Sequence, residues 1–134
     1  MADYLLDTNH LSRLILLGHP LRHRLEQRLS EGDTFAVAVP CVTELLFGLA
    51  MLPRSKQNLE SWRILHPRLD YYDVKLDDAE LAADLQVALR RRGWQLETVD
   101  AMIAAVALRN DLTLLTTDKD FAAVPDLAQE NWRA

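Results

Sequence analysis

The sequence predicts an α/β fold: a central, mostly parallel sheet with helices on both faces. Three observations predict it. The run Tyr4-Leu5-Leu6 is apolar, stops on Asp7, and gives way at once to a helical spacing at Leu11, Leu14 and Ile15. Late in the chain, Leu114-Leu115-Thr116-Thr117-Asp118 repeats the arrangement of an apolar strand running out onto an acid. Between these two, short apolar runs alternate with helical stripes, as right-handed crossovers between parallel strands require. In open α/β sheets, ligands bind outside the C-terminal ends of the strands. Two strands ending on carboxylates therefore point to one shared acidic site.

Taken in order, strand Tyr4–Leu6 leads into a helix over Thr8–Leu17, broken by Gly18 and Pro20. Leu21, Leu25 and Leu29 mark the apolar stripe of a second helix reaching Glu31, with Arg22, Arg24, Glu26 and Arg28 on its solvated side. Gly32-Asp33 turns into a strand at Phe35–Val39. Pro40 opens a helix over Val42–Leu52 that is apolar nearly all round, so it is either buried or faces a partner. A helix at Lys56–Leu65 ends at His66-Pro67, and Tyr71–Val74 reads as a short strand. Asp77 and Glu80 form a capping-box-like start to a helix with stripe Leu81, Leu85 and Leu89. Arg90-Arg91-Arg92 and Gly93 end it, placing cations at the negative pole and a left-handed cap after them. Thr98 caps a helix to Arg109, followed by strand Thr113–Thr116, a helical turn at Lys119–Ala122 and an edge strand at Leu127–Glu130.

The chain is read as one domain, residues 1–134, long enough to bury a normal core. The longest uncharged run, Thr34 to Thr43, is far short of a membrane span. The start carries Asp3 and Asp7 where a signal peptide has cations, and Cys41 is the single cysteine. Both suit a reducing cytoplasm. The net charge of −5 argues weakly against nucleic acid as partner, unless carboxylates gathered around a cation account for it.

Each acid has a structural explanation when taken singly. Asp7 fits the N-cap of the first helix. Glu44 lies on an apolar helix beside Leu45 and Phe47, so it needs a partner, a metal or an exposed first turn. Asp100 complements the dipole in the first turn of its helix, and Asp118 fits a cap of the following turn. Asp120, two residues on, is a fifth candidate. Taken together, all lie at strand ends or early in helices. Like charges gathered in a low dielectric need counter-cations to stay ionised. All-oxygen ligands suit Mg²⁺ or Mn²⁺, and such ions activate water for in-line phosphoryl displacement.

The ordered set Leu5-Leu6-Asp7-Thr8-Asn9, Val42-Thr43-Glu44-Leu45, Val99-Asp100-Ala101-Met102-Ile103-Ala104-Ala105 and Leu115-Thr116-Thr117-Asp118-Lys119-Asp120-Phe121 resembles the PIN-domain ribonucleases. More narrowly it is similar to the VapC-type toxins of bacterial toxin–antitoxin pairs. The resemblance runs nearly the whole chain, down to Glu130-Asn131-Trp132, and is carried by the ordered set rather than by any one motif. It implies a PIN-like three-layer α/β/α fold. Asp7, Glu44, Asp100 and Asp118 would be the catalytic, metal-binding acids, with Asn9 and Thr116 behind them and Asp120 sharing or substituting for the fourth ligand. It further implies Mg²⁺- or Mn²⁺-dependent cleavage of RNA, a homodimer, and a cognate antitoxin whose tail fills the groove. Lys119 is the candidate phosphate contact.

Other readings remain at this level. A haloacid-dehalogenase-like phosphatase also starts with a strand ending on Asp, but wants a second acid where Asn9 stands. A receiver-like binding domain wants its Asp after a middle strand, and the strand at Phe35–Val39 ends on Pro40. A PIN nuclease of RNA maturation or decay shares every feature of the toxin reading. His19 and His23 read as a surface pair, His10 and His66 as isolated, and Cys41 as core. Trp62, Trp94 and Trp132 read as packing or interface residues, and Arg90-Arg91-Arg92 as a helix-end charge run.

Overall fold

A computed structural model describes residues 1–16 and 19–133. Its strands are β1 (Asp3–Leu6), β2 (Thr34–Ala38), β3 (Asp70–Tyr72), β4 (Thr113–Leu115) and β5 (Gln129–Glu130). Its helices are α1 (Thr8–Ile15), α2 (Pro20–Ser30), α3 (Val39–Ala50), α4 (Ser55–Leu65), α5 (Leu76–Arg91) and α6 (Thr98–Arg109), with 3₁₀ turns at His66–Arg68 and Lys119–Ala123. The predicted end of the first helix at Leu17-Gly18 lies outside the described residues.

The strands form one sheet in the order β3-β2-β1-β4-β5, and every pairing is parallel. β1 is the centre. Tyr4, Leu5 and Leu6 are all buried, as expected for a strand covered on both faces. The chain steps from β1 through β2 to β3 on one side, then returns to lay β4 and β5 on the other. The order therefore reverses between β1 and β4, where Leu6 pairs with Leu115. That reversal is the crevice in which an open α/β sheet receives ligands. The Asp7 amide donates to the Leu115 carbonyl at 3.0 Å, carrying the ladder one residue beyond the strands.

Helix α6 brings Asp100 to this edge. Ala101, Ala104, Ala105 and Ala107 are buried together with Ile103 and Val106, so a wall of small side chains lets the helix approach its neighbours closely. α5 packs beside it. Asp78, buried in the first turn of α5, accepts from the Lys75 amide at 2.9 Å and from Arg109 Nη1 at 2.8 Å. The cap of α5 is thus Lys75 with Asp78 three residues on, not Asp77 with Glu80. One carboxylate serves both the helix start and the α5–α6 contact. The N-cap of α6 is Glu97 rather than Thr98. α5 closes on Gly93, whose φ of 79° admits glycine readily. Gly93 N donates to Arg90 O and Trp94 N to Leu89 O, the paired bonds of a Schellman cap.

Two further expectations change. Arg22 is not on a solvated side: it is buried and donates from Nη1 to the Leu14 carbonyl at 2.9 Å, tying α2 to α1. Helix α3 starts at Val39, three residues before the predicted start, because Pro40 sits comfortably in a first turn. Cys41, Leu45 and Leu49 face the core, while Phe47 (71% exposed) and Met51 (69% exposed) face outward. Cys41 is core, as read, and burial pushes its thiol up to about 12, so it stays protonated.

The C-terminal segment is anchored to β1 and β2 by aromatics. Tyr4 and Phe35 stack at 5.2 Å, and Trp132 meets both edge-on at 5.2 and 5.6 Å. The Arg24 guanidinium lies 3.9 Å from the Trp132 ring centroid.

The alanine wall of α6 is tight enough to test. Ala105→Leu should overpack it and lower stability by about 1–3 kcal/mol, read as a fall in the urea midpoint at unchanged slope. A variant as stable as the parent would mean that α6 has room the packing does not show.

Candidate metal centre

The backbone places the acids before any side chain is considered. Asp7 follows β1, Asp118 follows β4, Asp100 is in the first turn of α6, and Glu44 is in the second turn of α3. Carboxylate oxygens of Asp100, Asp118 and Asp120 all lie within 4.8 Å of one another. Asp7 and Glu44 border this group. Burial, then the charges of Asp7, Asp118, Glu44 and Asp120 in turn, pushes the Asp100 carboxyl up to about 7. Burial is also the main cause raising Asp7, helped by the charge of Asp118 and opposed by its hydrogen bonds. The five acids therefore share one electrostatic neighbourhood. None of them makes a salt bridge among the described residues. A divalent cation coordinated by oxygen is the chemistry this donor set suits.

Asp7 is the most tightly held. Its Oδ1 accepts from the Thr8 amide at 2.8 Å, so it also caps α1. Its Oδ2 accepts from Thr116 Oγ1 at 2.8 Å and from Asn9 Nδ2 at 3.2 Å. Thr116 Oγ1 in turn accepts from the Asp118 amide at 3.0 Å. Asn9 Oδ1 accepts from the Thr117 amide at 3.2 Å. Thr116 and Asn9 thus join the ends of β1 and β4 behind the acids. Asp118 Oδ1 accepts from the Asp120 amide at 2.9 Å, so its turn-capping role and its place among the acids coexist.

Glu44 is exposed and lies past the first turn, so the exposed-first-turn explanation does not apply. Thr8 Oγ1 donates to its Oε1 at 3.4 Å, which aims it toward α1 and Asp7. Lys119 is exposed and lines a shallow cavity of about 250 Å³ beside Asp118, with Glu130 and Asn131 opposite.

One residue of this neighbourhood was passed over in the sequence. His10 is buried, and its Nε2 accepts from the Trp132 amide at 3.1 Å. That bond leaves the proton on Nδ1, which donates to Asn9 Oδ1 at 3.1 Å. A chain of hydrogen bonds therefore runs from the C-terminal segment through His10 and Asn9 to Asp7. The available signal was a histidine beside Leu11 on the buried face of α1. Its partner lies 122 residues away in sequence, which no local pattern reveals.

The His10 ring predicts a pH effect. Burial, then the charges of Arg133 and Arg24, lowers its pKa from 6.5 to about 4. Between these values the unfolded chain binds more protons than the folded one, so stability falls as pH drops from 6.5 toward 4. The loss should reach up to about 3 kcal/mol. Asp100 acts with the opposite sign, its raised pKa favouring the folded state at low pH. The His10 part is therefore read as the difference in urea midpoint between the parent and His10→Gln at pH 7 and pH 5. A difference that does not change with pH would mean that His10 carries its proton in the folded protein.

Comparisons with known proteins accord with this geometry. A model of the PIN domain matches residues 4–127. Over 130 residues the chain is 27% identical to a Rickettsia felis protein named Ribonuclease VapC2, covering 96% of this chain and 97% of that one. It is 32% identical over 123 residues to a plasmid stability protein, StbB, of Pseudomonas syringae pv. tomato, covering 85% and 86% of the two chains. Among solved structures, VapBC2 of Rickettsia felis bound to a DNA fragment from its promoter matches with a TM-score of 0.84 at 28% identity, covering 97% of this chain and 98% of that one. The ordered acids, the all-parallel sheet and these matches agree: the chain belongs to the PIN-domain family and resembles its VapC-type members.

Proposed function

We propose that the protein is a metal-dependent endoribonuclease and the toxin of a toxin–antitoxin pair. The observation that carries this reading is the convergence of Asp100, Asp118 and Asp120 within 4.8 Å, with Asp7 and Glu44 bordering them and no basic side chain in ion pair with any of the five among the described residues. Asp7, Glu44, Asp100 and Asp118 would hold Mg²⁺, with Mn²⁺ able to substitute, and Asp120 would share the fourth position. Such an ion supplies activation of a water and neutralisation of charge on the attacking and leaving phosphate oxygens.

The chain's own residues do the rest. Thr116 and Asn9 hold Asp7 in one rotamer through its Oδ2, while the Thr8 amide fixes Oδ1. The ligand geometry is thus set before any ion arrives. The ammonium of Lys119, an exposed residue lining the same cavity as Asp118, would meet a phosphate of the RNA backbone. The name of the Rickettsia relative, a ribonuclease, supports RNA as the substrate class.

A cognate antitoxin is the proposed partner, since the matched solved structure is a VapBC complex. The outward face of α3, with Phe47 and Met51 exposed, is the surface offered to it. A groove of about 310 Å³ between α1 and α3, lined by Leu16, Leu49 and Leu52 with Arg13 and Arg133, runs up to Asn9. It suits an apolar, acidic tail that ends beside the acids and silences them. Exposed Leu76 and Val87 on α5 support a second copy as a further partner, making a homodimer. No described helix is long and apolar enough to cross a membrane. We place the protein in the cytoplasm, where RNA is met.

Purified, antitoxin-free protein should cut a labelled total-RNA pool with Mn²⁺ or Mg²⁺ and not with EDTA. Asp100→Asn should lower the rate by on the order of 10²–10³-fold, and Asn9→Ala by about 10–100-fold. Without metal, Asp100→Asn should also be more stable than the parent at pH 7.5, because it removes a desolvated carboxylate that also repels its acidic neighbours. The gain is on the order of 1 kcal/mol once solvent screening is allowed for. Cleavage that survives Asp100→Asn in a folded protein would end the metal-nuclease reading.

A further inference from the structure

The acid cluster is flanked by two cavities. One holds Lys119 on the β5 side. The other, about 220 Å³, lies on the α5–α6 side and is lined by Gln86, Arg90, Trp94, Gln95 and Glu97 among others. The established family match assigns nothing to this second cavity. We propose that it receives one unstacked base of the RNA, next to the phosphate presented to the acids, with the Trp94 indole as the stacking platform. This rests on the ribonuclease reading above.

Four observations carry it. Trp94 is the exposed tryptophan: it is 36% accessible, against 8% for Trp62 and 8% for Trp132. Its position is fixed on both sides. The Schellman cap at Gly93 holds its backbone, and its Nε1 donates to the Asp120 carbonyl at 2.9 Å. The indole edge is therefore bonded to the backbone of Asp120, itself a member of the cluster, and a ring fixed by its edge can engage a base only through a face. Arg90 is exposed and makes no ion pair among the described residues, so a guanidinium is free for a phosphate or a base plane. Gln95 and Glu97 add donors and acceptors for a base edge. Sequence-selective proteins read single-stranded RNA by this pairing of an aromatic or guanidinium plane with hydrogen bonds to the edge of a splayed base. Gln86 is the exception in the lining: its Nε2 is spent on the Leu96 carbonyl at 3.0 Å and Thr98 Oγ1 at 3.2 Å, so it shapes the wall.

The test uses the full chain in EDTA, with fluorescein-labelled octamers of rA, rC and rU, and reads anisotropy and tryptophan emission. RNA should quench the emission of the parent. Trp94→Ala should abolish the quenching and weaken binding of at least one octamer by about five- to a hundred-fold. Trp94→Phe, which keeps a ring but has no N–H for the Asp120 carbonyl, should bind close to the parent. Mn²⁺ affinity, followed by electron paramagnetic resonance in separate samples freed of EDTA, should be unchanged in both variants. If Trp94→Phe loses as much as Trp94→Ala, or if Mn²⁺ affinity falls, the indole is a brace for Asp120 and the proposal fails. If Trp94→Ala binds like the parent while the parent still cuts RNA, the base site falls and the nuclease stands. A parent that binds none of the octamers and cuts no RNA overturns both.

Discussion

The hydrogen bond from Thr116 Oγ1 to Asp7 Oδ2 is the contact on which the rest of the site depends. It is buried, and it crosses from the end of β4 to the end of β1 at the point where the strand order reverses. Thr116 also accepts from the Asp118 amide, so one hydroxyl sets the position of two acids. In a low dielectric two carboxylates so placed would drive each other apart or take up a proton. The neutral hydroxyl lets both stay near each other without adding charge. Asn9 repeats the solution one layer back, bonded to Asp7 on one side and to the Thr117 amide on the other.

The cost of this arrangement falls on folding. Asp7 and Asp100 both have raised pKa values, chiefly through burial, which means that their ionised forms are less favourable in the fold than in the open chain. The surrounding structure offsets this with features that carry no charge. These are the packed alanines of α6, the aromatic cluster of Tyr4, Phe35 and Trp132, and the central strand covered on both faces. A metal would relieve the same strain by supplying positive charge, and would bind the folded state alone, so its uptake would add directly to stability.

Much of the fold could be read from the residues because its rules are local. Apolar runs stopped by acids marked β1 and β4, and stripes such as Leu81, Leu85 and Leu89 marked helices. What could not be read was pairwise and long-range. Arg22 is charged and four residues from Glu26, a pattern that reads as solvated, yet a carbonyl of α1 lies within its reach once α1 and α2 pack. Asp77 reads as the cap in sequence; Arg109 reaches both Asp77 and Asp78 across the α5–α6 contact, but only Asp78 is buried there and accepts from the Lys75 amide that starts the helix. His10 looked isolated because Trp132, at the other end of the chain, is its partner. The sequence points to one shared site for Asp7, Glu44, Asp100 and Asp118, with Asp120 as a fifth candidate; the structure shows which three lie closest together, Asp100, Asp118 and Asp120. Sequence supplied the positions, and only the packing of the alanine wall supplied the distance.

The order of the strands has a consequence for synthesis on the ribosome. Asp7 is made long before β4, the neighbour of β1 on one side, and the Leu115 carbonyl and Thr116 hydroxyl come with that later strand. A nascent chain lacking those residues has β1 as an edge and the acids of its two halves apart. The cluster can assemble only when β4, and the segment that sets Trp132 against His10, have left the exit tunnel. The topology thus delays completion of the acidic site until β4 is free to pair with β1, whatever the state of the helices made before it.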